Sequence, residues 1–138
     1  MRVTAERYRD LVLTLRDDDD LAFDFFDFTS AVDWEDEGFD VVTQLYSTTR
    51  GHHVRVKVRC DREKPTCPSI HDVYAGADWY ERETWELFGI EFVGHPHLVK
   101  LVLPEQFEGF PGRKDFVLMS RKAKPWPGAV EGEEEAEE

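Results

Sequence analysis

The chain has 138 residues, of which 34% are charged, 41% hydrophobic and 13% aromatic, and its formal net charge is -13. That length gives one domain with a modest core, and the aromatic content argues against disorder because the rings need burial. The acidity excludes nucleic-acid backbones and anionic lipid as ligands, since both recruit Lys and Arg.

The charge is unevenly placed. Residues 1–50 hold 13 acids against 5 Lys/Arg, residues 51–130 hold 11 against 12, and the tail 131–138 adds six acids. The first residues, MRVTAERYRD, carry no apolar core of signal-peptide length. No run reaches the roughly 18 apolar residues of a membrane span. An intracellular protein is expected, touching a membrane only through partners.

Residues 4–15 form the first expected helix. Thr4 stands as its cap, Arg7 is a mismatch for a capping box, and Tyr8, Leu11, Val12 and Leu15 make one apolar stripe. The acids of 16–20 oppose the negative end of the helix dipole, so the helix should end before Asp17. Leu21–Trp34 is expected as a strand. Phe23 and Phe25 share one face and Phe26 and Phe28 the other, a flip that requires a bulge. Residues 34–38 form a turn. Phe39–Thr48 alternates with Phe39, Val41, Thr43 and Leu45 inward. After a turn at 49–51, residues 53–60 form the clearest strand: Val54, Val56, Val58 and Cys60 face in, and Arg55, Lys57 and Arg59 face out. Short loops make these three strands an antiparallel meander. Its basic ladder suits either an anion or, more commonly, a solvated or partner-facing surface.

Residues 61–68 are a loop with two prolines. Residues 69–76 have helical spacing, ended by Gly76. Asp78 and Glu81 match a capping box for a second helix, which runs to Leu87 or Phe88 and is closed by Gly89. Residues 97–104 are expected as a strand or extended segment. Residues 105–130 lack periodicity, yet Phe107, Phe110, Phe116, Leu118, Met119 and Trp126 are too apolar for a free tail. Such a segment calls for another surface to lie on. The division is therefore an α+β domain over 1–104, an extended partner-binding strap over 105–130 and an acidic tail over 131–138. The fold class is α+β: an antiparallel β-meander with helices packed on one face, followed by an irregular strap.

Cys60 and Cys67 fit neither a CxxC redox pair nor half of a usual zinc motif. Adding His52, His53 or His71 gives a conceivable Cys2His2 set, against which stands the ordinary role of small thiols. Residues 79–97, WYERETWELFGIEFVGHPH, gather Glu81, Glu83, Glu86, Glu91, His95 and His97. A loop over 89–94 can return the histidines to the side of Glu83 and Glu86, but the spacing is that of no metal motif such as HExxH. Structural ion pairing is the plainer use of the carboxylates. His95 can cap the last carbonyls of the helix, and Arg82 can reach a carboxylate on a neighbouring element.

Several blocks recur in order here: Glu81-Arg82-Glu83, then Trp85-Glu86-Leu87-Phe88-Gly89-Ile90, Phe92, Gly94-His95-Pro96, Gly109-Phe110-Pro111 and Arg113-Lys114-Asp115-Phe116. Together they resemble the 30 kDa subunit family of respiratory complex I, proton-translocating NADH:quinone oxidoreductase. Glu86 stands where that family usually has Asp, His97 where it has Asp or Asn, and Val99-Lys100 where it has two Arg; Gly112 replaces an apolar residue and Val117 a proline.

The resemblance implies a structural subunit of the peripheral arm on the cytoplasmic face of the cell membrane. Such a subunit has no catalytic residues and no cofactor of its own; FMN, iron–sulfur clusters and quinone belong to partner subunits. Its implied partners are other complex I subunits, chiefly the large, 49 kDa-type quinone-site subunit and the cluster-bearing subunit. Its implied role is to support electron transfer from NADH to quinone. The implied structural and partner-facing residues are Glu81, Arg82, Glu83, Phe88, Gly89, Gly94, His95, Pro96, Gly109, Pro111, Arg113, Lys114, Asp115 and Phe116. Within that set, Gly94-His95-Pro96 should form a rigid turn, and Arg113, Lys114 and Asp115 should pair with charges on the partner. Relatives of this family also serve membrane-bound hydrogenases and F420H2- or ferredoxin-linked dehydrogenases. Two readings come from the residues alone: a small metalloenzyme using Glu83, Glu86, His95 and His97, and a free-standing module that captures a basic protein through the acidic N-terminal half.

Overall fold

A computed structural model describes residues 1–118; Met119, Trp126, the rest of the expected strap and the acidic tail lie outside the described residues. In chain order the elements are β1 (Arg2–Val3), α1 (Ala5–Asp17), β2 (Phe25–Asp33), a 3-10 turn (Glu35–Glu37), β3 (Phe39–Ser47), β4 (His52–Cys60), β5 (Thr66–Pro68), α2 (Ala77–Phe88) and β6 (Glu91–Val93). β2, β3 and β4 form the expected antiparallel meander. β1 adds a parallel edge beside β4, so the sheet order is β1-β4-β3-β2. A second, parallel pair joins β5 to β6.

α1 and α2 cover one face of the sheet, and the core lies between. Tyr8, Val12 and Leu15 from α1 meet Phe39, Val41 and Leu45 of β3 and Val56 and Val58 of β4. The buried hydroxyls on this face satisfy one another: Tyr8 Oη lies 2.6 Å from Thr43 Oγ1, which lies 2.8 Å from Thr29 Oγ1. That chain ties α1, β3 and β2 together without an orphaned polar group. The bulge required in β2 is present, as a register shift between Phe26 and Phe28. Asp27, the extra residue, turns to accept from Gln44 Nε2 at 3.1 Å.

The uncovered face is held by Asp40, which is 1% exposed. Arg59 Nε donates to it at 2.7 Å, Arg2 at 3.1 Å and Trp34 Nε1 at 2.9 Å. The outward ladder is thus partly tied down, for Arg55 also grips Gln44 Oε1 at 2.7 Å.

Several boundaries differ from the sequence reading. α1 continues through Asp17, because Arg16 pairs with Asp17 at 2.7 Å and donates to the Val73 carbonyl at 2.7 Å. Thr4 is the cap residue, but its side chain makes no cap bond. Residues 21–24 are a turn, with Phe23 N–H bonded to Leu15 O at 3.0 Å, so β2 starts at Phe25. The helix expected over 69–76 shrinks to one turn, with Tyr74 N–H on Ile70 O at 2.9 Å. Gly76 opens α2 instead of closing a helix. β5 falls inside the expected loop, and 97–104 is irregular, the nearby strand being β6. Gly89 closes α2 in the left-handed conformation, as expected, at φ +73°.

Candidate functional site

α2 and its two flanks carry the residues singled out in the sequence. Glu81 and Asp78 do not form a capping box. The helix starts at Ala77, so Glu81 lies one turn in, on the inner face with Ala77 and Thr84. Its carboxylate is fully buried and accepts from the Ile70 N–H at 2.7 Å and from the Ser69 hydroxyl. Burial raises its pKa to about 7, against the lowering effect of those two donors. His71 Nδ1 lies 3.0 Å from the Ser69 hydroxyl and extends the network toward the surface.

Asp78 faces His95 instead, with His95 Nε2 3.1 Å from Asp78 Oδ1. His95 Nδ1 accepts from the His97 N–H at 3.1 Å. That acceptor role assigns the ring proton to Nε2, which donates to Asp78. His95 therefore binds the start of α2, not its last carbonyls, and Gly94 supports the turn at φ +89°. Pro96 and His97 are exposed. Arg82 donates to the carbonyls of Val99 and Lys100 at 3.1 and 3.2 Å, and stacks on Trp79. Its partners are backbone groups, where a carboxylate was expected. Glu83, half-buried, lies between these contacts in sequence.

Glu86 emerges as a second anchor. It is 2% exposed and accepts from the N–H groups of Leu101, Val102 and Leu103 at 2.9, 2.8 and 3.2 Å. Successive N–H groups aimed at one carboxylate make an anion nest. With Arg82 gripping the preceding carbonyls, α2 organises the whole of 99–103.

The strap to Leu118 folds back on the same domain. Gly112 N–H bonds to Leu87 O at 2.9 Å, and Arg113 Nε to Phe88 O at 2.6 Å. Arg113 is sandwiched between the Phe39 and Phe110 rings, and burial lowers its pKa. A Cβ on Gly89 would sit 2.6 Å from Arg113 Nη2 and 2.8 Å from Phe110, so this crossing needs glycine twice over, for space and for φ. Gly109, at φ +88°, and Pro111 lie in the turns that present these groups, and Phe116 stacks on Phe107. Lys114 N–H reaches Asp33 Oδ2 at 2.9 Å and its Nζ reaches Glu35 at 3.0 Å. Asp115 pairs with Arg62, which also holds Asp33 at 2.6 Å. Burial would raise the Asp33 pKa, but the N–H groups of Lys114 and Glu35 and the Arg62 charge outweigh it and hold the carboxyl below its ordinary value. Arg113, Lys114 and Asp115 thus find partners inside the chain, where a neighbour's charges had been expected.

These contacts describe architecture. Among the described residues no three His, Cys, Asp or Glu side chains group as a metal site. The quartet proposed for a metalloenzyme is dispersed, since Glu86 is committed to three amides and His95 to Asp78. The sequence reading missed Asp33, Arg62 and Glu86 as strap and loop anchors. Large apolar side chains also face outward here: Trp79, Val93, Val102 and Phe110 are 59%, 57%, 60% and 38% exposed.

The model of the family described as respiratory-chain NADH dehydrogenase, 30 Kd subunit, matches residues 1–122. A protein of Chlorobium phaeobacteroides, named as the C subunit of NADH-quinone oxidoreductase, is 41% identical over 113 residues, covering 80% of this chain and 68% of the relative. The like-named protein of Roseiflexus sp. is 41% identical over 118 residues, covering 84% of this chain and 68% of the relative, while for that of Acidothermus cellulolyticus the shares are 84% and 62%. Among solved structures, the trypsin-resistant fragment of Nqo5 superposes with a TM-score of 0.63 at 29% identity, covering 70% of this chain and 80% of its own. A chain of the membrane-bound sulfane sulfur reductase, an archaeal respiratory membrane complex, superposes with a TM-score of 0.76 at 28% identity, covering 94% and 83%. With the match running through the sheet, α2 and the folded-back strap, the chain belongs to the respiratory-chain NADH dehydrogenase 30 Kd subunit family.

Proposed function

We propose that this chain is the structural, cofactor-free 30 kDa subunit in the peripheral arm of a proton-translocating NADH:quinone oxidoreductase. It docks on the large quinone-site subunit and beside the cluster-bearing subunit, on the cytoplasmic face of the membrane, and supports electron transfer from NADH to quinone by holding that arm together. The observation that carries this reading is the family match over residues 1–122, joined to relatives named for that oxidoreductase at 41% identity. The geometry supports it in kind. Arg113, Lys114 and Asp115 are engaged within the chain, and the apolar side chains of Trp79, Val93, Val102 and Phe110 stand exposed for a partner.

The test is purification of the tagged chain from native membranes, with identification of the co-purifying proteins and an assay of NADH:quinone activity. Co-purification with a quinone-site subunit, and loss of the assembled arm on deletion of this chain, is the expected result. Recovery of the chain alone, with a fully assembled and active enzyme in the deletion strain, overturns it. The likeness to a chain of the sulfane sulfur reductase favours a second reading, a related respiratory membrane complex with another electron donor. The same purification distinguishes the two, through the donor-oxidising subunits that come down with the chain.

A further inference from the structure

β5, a strand the sequence did not reveal, packs Cys67 against β4, which ends at Cys60. Cys60 ends β4 and Cys67 is the middle residue of β5. The loop between them turns back on itself, with Asp61 Oδ1 accepting from Glu63 N–H at 2.8 Å. Both side chains are free thiols and both are buried, at 3% and 0% exposure. Cys60 Sγ donates at 3.2 Å to Thr66 O, the carbonyl of the peptide bond that leads into Cys67.

We propose that Cys60 and Cys67 are a dithiol that peroxide-class oxidants convert to an intramolecular disulfide linking the end of β4 to β5. Cys60 is the attacking thiol. The neighbouring thiol lowers the pKa of Cys60 against the opposing effect of burial, and the pKa of Cys67 is pushed up by its neighbour and by its own burial. Brief opening of the exposed 61–64 loop admits a small oxidant. In the first step Cys60 sulfur attacks one peroxide oxygen and the O–O bond breaks. Cys60 becomes a sulfenic acid, and its former thiol proton leaves with the displaced oxygen as water. In the second step Cys67 sulfur attacks the Cys60 sulfur, the S–O bond breaks, and the hydroxide takes the Cys67 proton to give a second water. The two sulfurs together lose two electrons and two protons to the peroxide, and the bond they form is about 2.0 Å long. The linkage fixes the loop that carries Arg62, and through Arg62 the contacts to Asp33 and Asp115.

The experiment treats the full chain with hydrogen peroxide, blocks remaining thiols under denaturing conditions and maps the tryptic peptides by mass. Cleavage after Arg59 and Arg62 puts the two cysteines on separate peptides, Cys60–Arg62 and Glu63–Arg82, because Lys64 precedes a proline. The expected product is those two peptides joined, lighter by two hydrogens and separated again by dithiothreitol. Both thiols remaining blockable, a dimer linked between chains, or sulfinic acid at Cys60 beside a free Cys67 overturns the proposal. In C67S, dimedone should trap a sulfenic acid at Cys60; in C60S, a dimedone adduct on Cys67 would overturn the assigned order. If either variant fails to fold, the wild-type peptide map still decides whether the bond forms.

Discussion

Glu81 is a carboxylate kept where a charge is costly. Its folded pKa of about 7 lies above the ordinary 4.5, so between those values the native state holds a proton that the unfolded chain has already released. Stability from this residue is therefore full below about pH 4.5, declines as pH rises to 7 and is flat beyond. The shift corresponds to roughly 3 kcal/mol. Glu81→Gln removes the titration while retaining an acceptor for the Ile70 amide. Urea unfolding of the two proteins from pH 5 to 8 should show wild type losing stability relative to the variant as pH rises. Parallel curves would show that the native carboxyl titrates as it does in the unfolded chain. The network around it also explains a misreading: the Asp78–Glu81 spacing matches a capping box, but the same spacing serves a helix capped two residues earlier, at Gly76, whose Glu turns inward.

At the scale of elements, period-two patterning made the meander legible, and the aromatic run 23–28, which no unbroken alternation accommodates, made the β2 bulge legible although it falls between Phe26 and Phe28, which had been expected to share a face. Gly89 was legible because a glycine after an amphipathic helix has a mechanical meaning. β1, β5 and β6 were not, because strands of two or three residues exist only through the neighbours they pair with. The helix expected over 69–76 had the right spacing, but the Ile70 amide and Ser69 hydroxyl are claimed by Glu81, and only one turn forms. Asp33 and Arg62, 29 residues apart, carry no period, so nothing local announces their meeting. The site was thus legible as blocks and illegible as contacts. Gly89→Ala tests the crossing of α2 and the strap. The left-handed backbone alone costs about 1 kcal/mol, and the clash with Arg113 and Phe110 adds to it. The expected result is a lower melting temperature with faster amide exchange over 109–116; unchanged exchange there would mean the strap does not depend on this approach.

Over the whole molecule, the strap completes the domain as well as extending it. Arg62 joins Asp33 at the end of β2 to Asp115 beyond α2, and so closes the fold on itself. Arg62→Ala should cost about 1–3 kcal/mol by leaving a buried carboxylate short of a charged partner. The carboxyl of Asp33 is held low in the native chain, so its contribution is present above the ordinary value of 3.8 and is lost as pH falls through the lower folded value. The variant should therefore be less stable at pH 7 and show a shallower acid-side loss, as followed by denaturant midpoints. Asp40 sets a different expectation for the open side of the sheet. A net charge of -13 makes the chain repel itself, whereas the Asp40 carboxylate held by Arg2, Arg59 and Trp34 is itself only 1% exposed. Dissolved ions damp the repulsion over about 10 Å at 0.1 M but screen a buried carboxylate much less. Sodium chloride should then raise the melting temperature, not lower it, a preference for brine traceable to one carboxylate kept dry beneath two arginines.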